Sequence, residues 1–193
     1  MASRLRAPAN LIGITGRAGS GKDTVSRLLR TLVFTRSMSF AEPLKAAVAA
    51  MLGVDVARFE DREWKEAPLP GIGVTPRHLL QTLGTEWGRN IIDPDLWVKI
   101  AANRYAEYRQ RVVNPDIAVV FTDLRFPNEA QWIREQGGLV LRVQRDSADV
   151  AESDHDSETQ LINIRPDTTF ANNGSFDDLR HWLRNDFLIT DTL

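Results

Sequence analysis

Gly16-Arg17-Ala18-Gly19-Ser20-Gly21-Lys22-Asp23-Thr24, directly behind the apolar run Leu11-Ile12-Gly13-Ile14-Thr15, limits what this chain can fold into more than any other stretch. The spacing G-x-x-x-x-G-K after a strand and before an amphipathic helix (Val25, Leu28, Leu29, Leu32) describes a phosphate-cradling loop. Glycines let the backbone curl so that several N–H groups converge on one anion, and the helix that begins near Gly21 aims its positive end at the same point. Lys22 adds a mobile positive charge for the β- and γ-phosphates. The segment therefore predicts a nucleoside triphosphate site, contacted by Gly16, Ala18, Gly19, Ser20, Gly21, Lys22, Asp23 and Thr24.

One position departs from the usual form: the hydroxyl residue expected after the lysine is Asp23, with Thr24 displaced by one. Two readings stand side by side. A carboxylate and a hydroxyl at Asp23 and Thr24 can hold Mg²⁺ directly or through water, since this ion takes hard oxygen ligands and keeps several waters. Alternatively, a negative charge in the first helical turn is simply favoured by the macrodipole.

A length of 193 residues with 42% apolar side chains suits one α/β domain with room for an insertion. A formal charge of −2 speaks against a protein built to bind duplex nucleic acid directly. The absence of cysteine removes disulfides, thiolate metal sites and cysteine nucleophiles together, so any metal is expected on oxygen. No membrane partner is expected, because no stretch approaches spanning length. The opening MASRLRAPAN lacks the apolar region of a secretory signal, which points to the cytoplasm.

Five short apolar runs read as strands: Leu11–Thr15, Phe34–Ser39, Ile117–Thr122, Leu139–Val143 and Thr168–Ala171. Helical patterns lie between them. Leu44, Val48, Met51 and Leu52 share one helix face; Leu79, Leu80, Leu83 and Trp87 repeat it behind the cap Thr75-Pro76. A further helix spans Leu96 to Tyr108, another runs from Pro127 to Gly137-Gly138, and Ser175 with Asp178 caps a last one over Phe176, Leu179 and Leu183. Strands alternating with helices predict a mostly parallel five-stranded sheet covered on both faces, a three-layer α/β fold. The expected organisation is a single domain over residues 1–193. Its core is 10–39 and 113–193, with a helical substrate-binding insert at 40–112 and a lid at about 145–160.

Asp123 falls at the carboxyl end of the third strand, the edge where ligands sit in open α/β sheets, and Arg125 follows it. The carboxylate can orient a metal-bound water or accept a proton, and the guanidinium can bind phosphate, as phosphoryl transfer requires. A plain Asp–Arg brace of the loop is the other reading. Lys45, Arg77, Arg89, Arg142 and Arg145 are candidates for phosphate contact or ordinary surface charges. His78, His155 and His181 show no metal-ligand spacing, and His155 falls in the lid.

The chain resembles the bacteriophage-type deoxynucleoside monophosphate kinases of the P-loop kinase superfamily, relatives of dephospho-coenzyme A kinase. The resemblance runs through SGKDT (Ser20–Thr24), SFAEPLK (Ser39–Lys45), RHLLQTLGTEWGRN (Arg77–Asn90) with Asp93 and Trp97, TDLRFPNEA (Thr122–Ala130) and NNGSFDDL (Asn172–Leu179). It implies direct in-line transfer of the ATP γ-phosphate, with Mg²⁺, to a deoxynucleoside monophosphate in the (host) cytoplasm. It further implies catalytic roles for Lys22, Asp123, Arg125 and Arg145. Lys45, Arg77, Arg89, Trp97, Asp123 and Arg125 fall on the acceptor side, and Asn173 in the loop 172–174 falls near adenine. A homodimer is left open. Bulky groups at Phe40, Trp87 and Trp97 suggest an aromatic wall with no partner for a 2′-hydroxyl; the alternative is that they are ordinary core. Two other functions compete. One is a kinase for another phosphorylated metabolite, dephospho-coenzyme A-like. The other is an NTP-dependent switch or nucleic-acid-handling module, against which stand the missing N-K-x-D motif and the absent basic excess.

Overall fold

The computed structural model describes residues 9–148 and 159–188. By contacts the chain divides into two compact units, one comprising residues up to Ser39 together with those from Arg104 onward, the other Phe40–Asn103. Most of the expected lid, with His155, lies outside the described residues.

The first unit is built on a five-stranded, all-parallel sheet in the order β2-β3-β1-β4-β5. Its strands are β1 (Leu11–Thr15), β2 (Thr35–Met38), β3 (Ala118–Leu124), β4 (Leu139–Gln144) and β5 (Thr168–Ala171). β1 is buried at every residue, as a central strand covered on both faces must be. Alternation sends Ile12, Ile14, Val120, Leu141, Val143 and Phe170 toward one helical layer, α1 (Lys22–Leu32) and α7 (Phe176–Trp182), through Val25, Leu28, Leu29 and Leu179, with Leu183 in the π turn that continues α7. The opposite face meets α6 (Pro127–Glu135): the Phe121 and Trp132 rings make an edge contact at 5.4 Å, and Gly13 leaves just enough space for Leu124 and Ile133. Each fully buried Leu or Ile of this kind contributes about 1.5–3 kcal/mol of transfer free energy. Ser175 closes the N-terminus of α7 by accepting from Asp178 N at 3.2 Å, with the Asp178 carboxylate returning to Ser175 N at 2.7 Å. Phe176, expected on the buried face, is 52% exposed because it sits in that first turn beside Arg180.

The second unit is helical: α2 (Glu42–Leu52), a 3₁₀ turn (Val56–Glu60), α3 (Arg62–Glu66), α4 (Pro76–Gln81) and a π-helical continuation, Thr82–Ile92. α5 (Leu96–Arg111) belongs to this unit up to Asn103 and to the first beyond it. Its small core gathers Val48, Ala49 and Phe59 with Leu52, Trp64, Leu79, Leu80 and Leu83, and the Phe59 and Trp64 rings meet edge to face at 5.2 Å. Thr75 caps α4 by accepting from His78 N, with Pro76 in the first turn. Two expectations about the buried face are corrected here. Met51 is 65% exposed, at the edge of the α2 stripe, and Trp87 is 44% exposed, because the wider π turn rotates Gly84, Thr85, Gly88 and Arg89 inward in its place.

Candidate active site

The strand order changes direction around β1, which has β3 on one side and β4 on the other, and ligands collect outside the carboxyl ends of strands at such a point. The loop 16–21 leaves β1 there. Gly16 has φ 146° and Gly21 φ 100°. A Cβ on Gly16 would stand 2.2 Å from the Val143 carbonyl oxygen, and one on Gly21 would stand 2.3 Å from Asn172 Nδ2, so both positions are closed to any other residue. Lys22 opens α1 and folds back, donating to the carbonyls of Gly16 at 2.6 Å and Arg17 at 2.8 Å. Among the described residues Thr15 Oγ1 and Ser20 Oγ are buried without a hydrogen-bond partner, and both residues line a cavity of about 120 Å³ against the loop, shared with Arg17, Arg142 and Leu161. Orphaned hydroxyls beside a glycine cradle fit a polar ligand such as a polyphosphate. Asp23 and Thr24 occupy the first turn of α1, Asp23 exposed and Thr24 half-buried.

The loop after β5 is fastened to this cradle. Buried Asn172 donates from Nδ2 to Ser20 O at 2.8 Å, and Arg145 Nε donates to Asn172 O at 3.1 Å. Asn173 accepts from Asp146 N at 3.0 Å, so it holds the chain where the expected lid begins. Arg142 donates to the carbonyls of Leu161 and Ile164; burial pushes its pKa down, and its visible role is to brace the turn 160–163.

Asp123 stands one residue before Leu124, which pairs with Thr15, so it occupies the strand beside the one that feeds the loop. Ser39 Oγ donates to Asp123 Oδ2 at 2.6 Å across the ends of β2 and β3. Behind it, buried Glu129 accepts from the backbone N–H of Arg125 at 2.8 Å and of Phe126 at 3.1 Å, pinning the turn that carries Arg125. Ser39 and Glu129 were not singled out by the sequence, although both lie inside the motifs SFAEPLK and TDLRFPNEA. Replacing Glu129 by Ala leaves those two amides without their acceptor. The expected result is a stability loss of about 1–3 kcal/mol by urea unfolding, together with a raised KM for the acceptor.

Within the helical unit the remaining candidates form two groups. Lys45 pairs with Glu60 at 2.8 Å and Arg77 with Glu66 at 2.7 Å. The Lys45 hydrogen bond, stronger than the effect of partial burial, holds the Glu60 carboxyl below its usual range. In the second group, Arg89 is 9% exposed and donates to Pro94 O at 3.1 Å, while Trp97 donates from Nε1 to Gly84 O at 2.7 Å and lies flush on Gly88. Asp93 is ion-paired with Lys99, whose hydrogen bond lowers the Asp93 pKa. Phe40 and Trp97 are buried and Trp87 is 44% exposed, so the three do not share one exposed aromatic face. Trp97 instead fixes the Gly84–Gly88 turn. Among the described residues no helix is long and apolar enough to cross a membrane.

Comparison with known proteins identifies the family. A family model for deoxynucleotide monophosphate kinase matches residues 72–183. The chain is 35% identical, over 87% of its length and 91% of the relative's, to a putative deoxynucleotide monophosphate kinase of Acanthamoeba polyphaga mimivirus. It is 28% identical, over 78% and 84%, to the deoxynucleoside-5′-monophosphate kinase of Escherichia phage T5. In fold it is similar to the crystal structure of TT1252 from Thermus thermophilus, with TM-score 0.50, 21% identity and coverage of 94% and 95%. With its glycine-rich loop, its parallel sheet and these matches over most of its length, the chain belongs to the deoxynucleotide monophosphate kinase family and is an ATP-using enzyme of that activity.

Proposed function

We propose that the protein transfers the γ-phosphoryl group of ATP directly, in line, to the 5′-phosphate of a deoxynucleoside monophosphate, with no enzyme-bound phosphate between. The observation that carries this is the clustering, at one sheet edge of the first unit, of the loop with Lys22, the Ser39–Asp123 pair, and the Arg125 turn held by Glu129. Loop N–H groups and Lys22 hold the triphosphate, and Arg145 lies at the lid side of the same cradle through its tie to Asn172. Asp123 orients the attacking phosphate oxygen and Arg125 neutralises charge. Lys45, Arg77 and Arg89 serve the acceptor, with Trp97 keeping the Gly84–Gly88 turn in place for it. Asp23 and Thr24 would hold Mg²⁺; among the described residues no three acidic or histidine side chains gather for a metal, and an ion shared with phosphates and water needs only one or two protein oxygens. The ion would supply neutralisation of the negative charge on the phosphate oxygens.

The test is incubation with MgATP and each of the eight common NMPs and dNMPs, with the product diphosphate quantified. Transfer to dNMPs is expected, and ATP hydrolysis without transfer to any monophosphate would defeat the proposal. Matched pairs such as dGMP and GMP also read the sugar. A site that leaves a 2′-hydroxyl without a hydrogen-bond partner prefers the deoxy substrate by about ten- to hundredfold in kcat/KM, whereas equal values would show no selection there.

A further inference from the structure

The helical unit carries more positive charge at one place than its ion pairs account for. Lys45 on α2 and Arg77 on α4 each face a single glutamate, Glu60 and Glu66. Between those glutamates in sequence, on α3, stands Lys65, half-buried, and among the described residues its ammonium makes no hydrogen bond and no ion pair. Burial pushes its pKa down, and the positive charges of Lys45 and Arg77 push it further, against the weaker pull of Glu60 and Glu66. α3 packs against both the 3₁₀ turn that carries Glu60 and the helix α4 that carries Arg77, and Lys65 adjoins Glu66 in the chain, so the lysine without a direct partner stands in the neighbourhood of both ion pairs. Like charges gathered in this way are mutually destabilising, and a dianion with several acceptor oxygens is the group that relieves them. A phosphate matches the guanidinium fork of Arg77 and the two point charges of the lysines, and it competes with Glu60 and Glu66 for the same N–H donors.

We propose that Lys65 is a further acceptor-binding residue: with Lys45 and Arg77 it forms a three-cation cradle for the 5′-phosphate of the monophosphate, an assignment that rests on the kinase function proposed above. Lys65 lies outside the residues the family model matches and in none of the motifs that carry the resemblance. Its role is legible only from the folded insert, where α2, α3 and α4 bring the three cations together.

Lys65→Met and Lys65→Arg test it, by steady-state kinetics and by calorimetric binding of the best dNMP and of its deoxynucleoside. Lys65→Met is expected to raise KM for the dNMP about ten- to hundredfold, the scale of one charge-assisted hydrogen bond. The KM for ATP and the binding of the deoxynucleoside should stay near wild type, and Lys65→Arg should recover most of the loss. The melting temperature of Lys65→Met should equal or exceed wild type, because a repulsion has been removed; a lysine with only a structural role would lower it and shift both substrates together. An active wild type with an unchanged dNMP KM in Lys65→Met overturns the assignment of Lys65 alone. A wild type that transfers phosphate to no dNMP overturns the kinase function, and this assignment with it.

Discussion

Lys22→Met is expected to fold normally and to lose at least two to three orders of magnitude, roughly, in kcat/KM, the scale seen when one preorganised electrostatic group is removed. The loop that holds this lysine is shaped by backbone conformation: Gly16 and Gly21 adopt torsions no other residue shares easily, and Asn172 clamps Ser20 from the far end of the sequence. Methionine keeps most of the side-chain volume, and the hydrogen bonds it forfeits to Gly16 O and Arg17 O are to partly exposed carbonyls that water can satisfy. The fold should therefore survive. What cannot be replaced is a positive charge able to leave those carbonyls and follow negative charge as it moves from the γ-phosphate to the leaving oxygen. Nucleotide binding should weaken less than transfer, since the loop amides and the helix terminus remain. Circular dichroism, nucleotide binding and initial rates on one preparation decide the matter: near-wild-type turnover in folded Lys22→Met would remove the triphosphate from this loop.

Most of the sheet could be read from the chain because buried parallel strands are short uninterrupted apolar runs between turn signals. Leu11–Thr15 and Thr168–Ala171 have the expected ends. Phe34–Ser39 shortens to Thr35–Met38 because this edge strand has only β3 to pair with, while Ile117–Thr122 extends to Leu124 because β1 pairs with it as far as Thr15. The insert was less legible. A 3.6-residue period carried past Gln81 puts Trp87 on the buried face, but the chain widens into π turns in which Gly84 and Gly88 face inward, and Trp97 fills the space a Cβ on Gly88 would take. No local pattern announces that change, since the tryptophan packed on Gly88 lies nine residues further along the chain.

The site divides in the same manner. Loop residues declare themselves by spacing, because one short segment must do all the curling and donating. Glu129, Asn172 and Ser39 act through partners fixed only by the fold: Asn172 binds Ser20 across 152 positions and Ser39 binds Asp123 across 84. Lys45 and Arg77 were singled out one by one, yet the charge cluster that joins them to Lys65 depends on three helices and two short ion pairs.

Asp123→Asn is expected to lower kcat by about two to four orders of magnitude, the range for a positioned acid–base group, while KM for ATP changes little. Asparagine has the size of aspartate and keeps one oxygen to accept the Ser39 hydroxyl, so the tie between the ends of β2 and β3 can persist at its 2.6 Å contact. The negative charge and the second carboxylate oxygen are lost. If the carboxylate orients the attacking oxygen, that loss appears in the chemical step; if it is only a brace with Arg125, the change appears in the melting temperature with kcat intact. Ser39→Ala separates the two further. It leaves the charge and removes the hydroxyl that fixes one carboxylate rotamer, so kcat should fall by about tenfold, in keeping with a lost charge-assisted hydrogen bond. In Asp123→Asn the hydroxyl has no charge left to orient, and adding Ser39→Ala to it should cost little more. Such non-additivity is the signature of two residues acting as one unit. A double variant whose kcat loss equals the product of the two single losses would show that Ser39 and Asp123 act independently.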